Sequence, residues 1–288
     1  MASSMLASGT CVGEYLLARC VAVGATSEVY AGRHATSGEP VAVKVLSPEW
    51  CLHPEVVARF LNEARTLQEL QHPHLVRALT SGVLPEGRPF MVLEWQPEDL
   101  HHALAREGGR LQVQDCIQVV RQLAEVLALL HARGLVHRDL KPANILVSQR
   151  KPGAWKIQLA DLGLAKRLAT GSGPAAALPV STAGSALLGT WDYMAPEQWR
   201  SPKSVDDRAD VYSLGVLGFQ LLTGRLPFIS NEQQGLMFCH VVRPPPLELL
   251  EGVAPEALRS LLARMLAKKV LERPSMADVL RLLPSSDG

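Results

Sequence analysis

An α+β chain of two unequal lobes is what this sequence predicts, and three observations carry that expectation. Short apolar runs bounded by turn residues fill the first third. Apolar residues recur at helical spacing through most of the remainder. The strand pattern stops at Leu93-Glu94-Trp95-Gln96-Pro97, where proline breaks the chain, so the lobe boundary belongs there.

The first lobe reads as strands plus one helix. Tyr15 to Val23 and Val29 to His34 are apolar-rich runs on either side of Gly24, and Thr36-Ser37-Gly38 marks a turn. Val41 to Leu46 is a strand, apolar except for Lys44. A helix runs from Pro54 to Leu70 with the stripe Val56, Phe60, Glu63, Leu67, Leu70, which puts Glu63 in the face that should be buried. An unpaired buried carboxylate costs several kcal/mol, so Glu63 calls for a cation, and Lys44 is the natural candidate. A slight rotation of the helix, carrying Glu63 to solvent, is the alternative.

The second lobe is mainly helical. Gln114 to Arg133 carries apolar residues at 117, 120, 123, 127 and 130, with Gly134 as its C-cap. Trp155, Ile157 and Leu159 alternate as a strand. Asp210 to Thr223 is apolar around nearly its whole circumference and should be a buried central helix. Pro255 opens a helix with Leu258, Leu261, Leu262, Met265 and Leu266 inside. A last short helix follows Pro274, with Ser275 as N-cap and Asp278 three residues on.

Composition excludes several function classes. With 288 residues, 47% hydrophobic and 20% charged, the chain is long enough for a sizeable core. Lys+Arg 29 against Asp+Glu 28 leaves a net charge of +1, so no broad footprint for nucleic acid is expected. The five cysteines (Cys11, Cys20, Cys51, Cys116, Cys239) form no C-x-x-C, which speaks against a disulfide framework or zinc site and for reduced thiols in a cytoplasmic protein. Met1 to Gly13 does not read as a signal peptide, and Ala2 removes myristoylation. Leu168 to Trp191 is uncharged but contains Pro174, Pro179 and several Gly and Ser, so it reads as a loop and no membrane segment is expected.

The strongest motif is His137-Arg138-Asp139-Leu140-Lys141-Pro142-Ala143-Asn144. Asp161-Leu162-Gly163 and Ala195-Pro196-Glu197 follow, and Val41-Ala42-Val43-Lys44 and Glu63 precede it. In this order the set resembles the serine/threonine protein kinase family, in the style of its bacterial, eukaryotic-like members, over about Glu14 to Leu283. The resemblance implies a kinase-like bilobal fold in a domain spanning 14–285. Its small antiparallel β-sheet lobe with one helix would cover 14–96, its larger mainly helical lobe 97–285, and 1–13 would be a short N-terminal extension.

The implied activity is phosphoryl transfer from ATP to protein Ser/Thr hydroxyls, in which positioning and charge neutralisation are most of the work. By resemblance, Lys44 holds nucleotide phosphates and is itself held by Glu63. Asp139 takes or orients the substrate proton, and Lys141 sits near the transferred group. Asn144, five residues after Asp139, and Asp161 offer hard oxygens to Mg²⁺. The Gly-x-Gly-x-x-Gly pattern falls on Ala22, Gly24 and Ser27, so only the middle glycine remains. Val21, Val29, Ala42 and Leu146 would enclose adenine, Leu93 would stand as gatekeeper, and backbone groups of Glu94 and Gln96 would bind the adenine edge.

The resemblance also makes 161–197 an activation segment. Thr190 would help select Ser or Thr acceptors, and Arg138 is the type of residue that pairs with a loop phosphate. Ser181, Thr182 and Ser185 are the candidate phosphosites, Thr182 first, with a transient homodimer for trans-autophosphorylation. Glu197 should pair with Arg273, Asp210 should anchor the catalytic loop, His137 should be a packed, backbone-binding residue, and Leu162 should pack in place of phenylalanine. The altered phosphate loop keeps open a second reading, a catalytically weak scaffold or regulatory module on a kinase fold. A small-molecule kinase of related fold is a third, which the activation segment and Ala-Pro-Glu block disfavour.

Overall fold

Two compact units make up the chain in the computed structural model, residues 1–97 with 161–163 and residues 98–160 with 164–288. The structure describes residues 5–162, 166–167, 191–200 and 205–285. The first unit is an antiparallel sheet with one helix and the second is mainly helical, the α+β arrangement the sequence predicts.

The first unit's strands are β1 (Cys11–Val12), β2 (Tyr15–Val23), β3 (Ser27–His34), β4 (Pro40–Leu46), β5 (Ala78–Val83) and β6 (Pro89–Glu94), in the spatial order β1-β2-β3-β4-β6-β5. Period-two alternation along β4 sends Val41, Val43 and Val45 into a core with Val12, Leu17, Tyr30, Leu84, Phe90 and Val92. Ala42 and Lys44 therefore point to the other face. Helix α1 (Pro54–Glu69) packs on β5 and β6 and buries Val56, Phe60, Glu63, Ala64 and Leu67, so the rotation that would expose Glu63 does not occur.

Two features of this unit escaped the sequence pattern. Residues ahead of Glu14, expected as an extension, supply β1 and the fully buried Val12, and the Leu6 amide donates to the Tyr30 hydroxyl at 2.9 Å. Beneath the sheet, Arg88 Nη2 donates to Glu28 Oε2 at 2.8 Å, Tyr30 donates to the same oxygen at 2.6 Å, and Arg88 Nε donates to the Leu46 carbonyl at 2.9 Å. Arg88 and Glu28 are 5% and 3% exposed, so this ion pair is held in low dielectric with its remaining polar atoms engaged.

The second unit contains β7 (Glu98–Asp99), α2 (Leu100–Arg106), α3 (Val113–Ala132), β8 (Leu135–Val136), β9 (Ile145–Gln149), β10 (Lys156–Leu159) and β11 (Lys166–Arg167). It continues with α4 (Pro196–Arg200), α5 (Arg208–Thr223), α6 (Gln233–Val241), α7 (Glu256–Met265) and α8 (Met276–Leu282). Strands β10-β9-β7 form a small sheet, and β8 pairs with β11. Helix α5 is buried along almost its whole length, packed by α3 and α7. A Cβ on Gly215 would stand 2.9 Å from Met265 Cβ, so glycine there lets α7 approach the α5 backbone. Ser275 caps α8 in a reciprocal capping box with Asp278. No helix among the described residues is long and apolar enough to cross a membrane.

The α6 helix shows no clean stripe in sequence, because only Leu236, Cys239 and His240 face inward. His240 is fully buried among the rings of Trp199, Tyr212 and Phe228, with Nδ1 3.0 Å from the Tyr212 hydroxyl. Burial, reinforced by the Lys268 charge, pulls its imidazole down to about 3.

Arg88→Met leaves Glu28 buried beside a lost cation and is expected to cost about 3–5 kcal/mol of unfolding free energy in denaturant titration; a loss under about 1 kcal/mol overturns the role given to the pair. His240 supplies a pH test. The folded state holds it neutral while the unfolded chain charges near 6.5, so its contribution is present above that value and lost as pH falls towards about 3. The unfolding midpoint is expected to drop between pH 6.5 and 5, and His240→Leu to flatten that drop.

Candidate active site

In the first unit, strand alternation and the α1 stripe bring two charges together. Lys44 Nζ donates to Glu63 Oε1 at 2.8 Å and to Asp161 Oδ1 at 2.9 Å. The Lys44 and Glu63 side chains are 8% and 3% exposed, whereas that of Asp161 is 46% exposed. Burial pulls the ammonium down, but the Asp161 and Glu63 carboxylates outweigh it and hold Lys44 above the ordinary lysine value. Burial pushes the Glu63 carboxyl up, to about 7, against the opposing charge of Lys44. The Leu162 backbone also hydrogen-bonds Glu63, and the Leu162 side chain is 2% exposed, so it packs as the sequence suggests.

The sheet register sets the neighbours of this pair. Ala22 faces Val29, Val29 faces Lys44, and Lys44 faces Met91 in one cross-strand row; Ala31, Ala42 and Leu93 make the next. Ala22, Val29, Ala42 and Lys44 thus share one face. Val21 falls at a register shift in β2 and is 36% exposed. Across the turn, the Gly24 amide donates to the Ser27 carbonyl at 2.8 Å, and Ser27 is buried. None of Ala22, Gly24 and Ser27 has a positive φ, so the missing glycines cost this backbone no strain. The Glu94 amide is already donated to the Arg77 carbonyl at 3.1 Å. Gln96 follows just past the end of β6.

In the second unit, the loop between β8 and β9 carries Asp139, Lys141 and Asn144. Lys141 Nζ lies 2.9 Å from Asp139 Oδ2. Asn144 Nδ2 donates to the same oxygen at 3.0 Å and to the Asp139 carbonyl at 2.8 Å, which fixes both the carboxylate and the amide end that remains to accept. Leu146 follows, half-buried, on β9, opposite Gln158.

This loop hangs on Asp210 of the buried helix α5. The Asp210 carboxylate accepts from the His137 amide at 2.9 Å and the Arg138 amide at 2.8 Å, and it shares a 2.8 Å hydrogen bond with His131. Burial alone would raise this carboxyl, but the His131 contact, the nearby His137 and the Arg138 amide hold it below its usual value. His137 is fully buried, with Nε2 3.3 Å from the Ala160 carbonyl. Arg138 takes φ 66° and Asp161 φ 61°, the only non-glycine residues with positive φ among the described residues. Such a conformation costs on the order of 1 kcal/mol and persists only where surrounding bonds over-determine it; Asp210 does so for Arg138.

Further along, Arg273 pairs bidentately with Glu197 at 2.6 and 2.8 Å, as expected. His131 and Gln198, whose amide donates to the Arg138 carbonyl at 2.9 Å, are loop supports that sequence reasoning missed. The only trace of His131 in the sequence is an imidazole following the apolar face at Leu127 and Leu130. Arg138 Nη2 donates to the Val205 carbonyl at 2.8 Å. Gly163, Ser181, Thr182, Ser185 and Thr190 lie outside the described residues. Among the described residues no group of three or more His, Cys, Asp or Glu gathers as a metal cage.

Comparison with known proteins gives this arrangement a family. The model described as "Protein kinase domain" matches residues 15–282. The chain belongs to the protein kinase domain family. It is 38% identical over 266 residues to the serine/threonine-protein kinase Pkn1 of Myxococcus xanthus, covering 92% of this chain and 37% of that protein. It is 32% identical over 274 residues to pkn3 of the same organism, covering 93% and 49%. To the serine/threonine-protein kinase PknA of Mycobacterium tuberculosis it is 34% identical over 241 residues, covering 82% and 53%. The chain thus spans between about a third and about half of the length of these curated relatives.

Within this kinase domain, Lys44→Met strips the buried Glu63 of its cation and is expected to lower unfolding free energy by about 3–5 kcal/mol, while Lys44→Met with Glu63→Leu recovers most of the loss. Denaturant unfolding of the two variants beside the parent checks this. Equal stability of parent and Lys44→Met contradicts the pairing.

Proposed function

We propose that the chain is an ATP-dependent protein kinase that phosphorylates Ser/Thr hydroxyls of proteins. The observation that carries this is the ammonium of Lys44, held between the carboxylates of Glu63 and Asp161 at 2.8 and 2.9 Å, a fixed cation of the kind that nucleotide phosphates require. The names of the relatives support the Ser/Thr class.

The residues fit Mg-ATP by the chemistry of their donors. Asp161 keeps a half-exposed carboxylate, and Asn144, its amide nitrogen committed to Asp139, presents an oxygen; both are hard ligands suited to Mg²⁺. Mg-ATP, when bound, supplies the phosphoryl group and the metal charge that offsets its oxygens. Ala22, Gly24 and Ser27 line the phosphate turn. Val21, Val29, Ala42 and Leu146 offer apolar surface for the base, and Glu94 and Gln96 offer backbone groups to its edge. Asp139, held by Asn144 and Lys141, takes or orients the proton of the incoming hydroxyl. Lys141 offsets charge on the transferring group.

Autophosphorylation within 161–197 by a transient pair of copies belongs to the same proposal, and so does a cytoplasmic location, which five free cysteines support. The substituted phosphate turn favours one other reading, a kinase-fold scaffold with little or no turnover.

Purified chain with labelled Mg-ATP is expected to phosphorylate itself or a generic protein on Ser or Thr, and Asp139→Asn to lower the rate by at least about 10²-fold. Phosphate transfer that survives Asp139→Asn removes that residue from the chemistry. The scaffold reading gains if saturating Mg-ATP leaves the melting temperature unmoved, because a ligand that binds the native state raises its stability.

A further inference from the structure

The turn between β2 and β3 is tethered from the segment that follows β4. Residues 22–25 are exposed, so packing does little to fix them. Hydrogen bonds fix the turn instead. The Ser47 amide donates to the Thr26 carbonyl at 2.9 Å, and the Trp50 indole N–H donates to the Ala25 carbonyl at 2.9 Å. Both tethers come from the single helical turn Pro48–Trp50 and its N-cap Ser47, joined by the Trp50 amide donating to the Ser47 carbonyl at 3.0 Å. That turn is in turn fixed to α1. The Trp50 and His53 rings stand 5.2 Å apart, the His53 amide donates to the Trp50 carbonyl at 3.1 Å, and His53 is the N-cap of the helix that carries Glu63.

We infer that Trp50 is a positioning residue for nucleotide phosphates: its indole clasps the phosphate turn and aims a backbone donor at the ligand. The Ala25 carbonyl and the Thr26 N–H belong to one planar trans peptide and point in opposite directions. A carbonyl held by the indole therefore turns the Thr26 N–H to the other side, where it serves a phosphate oxygen. Ala22 and Ser27 narrow the turn's conformational freedom relative to glycine, and the clasp selects one of the remaining conformations. The same residue ties this turn to α1, so the phosphate grip and the Lys44–Glu63 pair are set on one framework. The inference rests on reading this turn as the phosphate site of a kinase.

Trp50→Phe keeps the ring beside His53 and removes only the N–H. Calorimetric titration of the whole chain with Mg-ATP and, separately, with adenosine reads the effect. Losing one such hydrogen bond is expected to raise the Kd for ATP by roughly 2–10-fold, to leave the Kd for adenosine unchanged, and to speed amide exchange in residues 22–28. Trp50→His, which restores a ring N–H, is expected to recover part of the loss. Equal weakening of ATP and adenosine, or an unchanged ATP Kd in Trp50→Phe, overturns the inference and leaves the kinase reading standing. A parent chain that binds neither ligand overturns both.

Discussion

A lysine ammonium taken out of water has to be paired, and the first unit is arranged around that demand. Lys44 cannot leave its face of the sheet without reversing the alternation that buries Val43 and Val45. Glu63 cannot leave its face of α1 without exposing Phe60 and Leu67. Each charge is costly alone, and the 2.8 Å contact makes both tolerable while fixing the rotation of the helix against the sheet. Asp161 adds a second carboxylate, so the lysine stays charged and has little freedom of direction. A cation held this way is pre-organised to meet an anionic ligand, with little side-chain freedom left to lose.

Asp210 plays the corresponding part in the second unit. Its carboxylate lies in a helix buried along almost its whole length and would be untenable there without the three donors it receives from His131, His137 and Arg138. Two of these are backbone amides, so the carboxylate fixes the course of the main chain itself. It offsets the cost of the left-handed Arg138 and thereby sets the next residue, Asp139, whose carboxylate Asn144 and Lys141 then orient. The Glu197–Arg273 pair does similar work further along, with Arg273 also donating to the carbonyls of Ala267 and Arg208. In each case a buried charge holds a loop whose own sequence has too little apolar content to hold it.

The turn between β2 and β3 follows another rule. Glycine is indispensable where φ is positive or where a backbone approaches within contact distance, and the turn at 22–27 meets no positive-φ requirement. Ala22 and Ser27 are therefore compatible with the strand-turn-strand, and hydrogen bonds from the β4–α1 connection order the exposed tip. On the sheet's other face, Arg88 and Glu28 hold the start of β3 from below.

The amino-acid sequence by itself determined the α+β division, the α1 and α5 helices, the partnership of Lys44 with Glu63, and the block from His137 to Asn144. The division and the helices are legible because alternation and helical spacing are local. The lone charge in an apolar run asks for a partner, and the resemblance to protein kinases is what settled that partner as Lys44 with Glu63 and marked out the block from His137 to Asn144. The tertiary structure alone decided the strand at Cys11–Val12, the α6 helix, the Glu28–Arg88 pair and the His131 contact with Asp210. Two-residue strands leave no periodic trace, and α6 buries too few residues to show a stripe. Glu28 and Arg88 lie 60 residues apart in the chain, each in a stretch whose polarity looks like ordinary surface. Which distant charge completes a buried pair is fixed by the sheet register and the packing of helices, and those emerge only when the whole chain has folded.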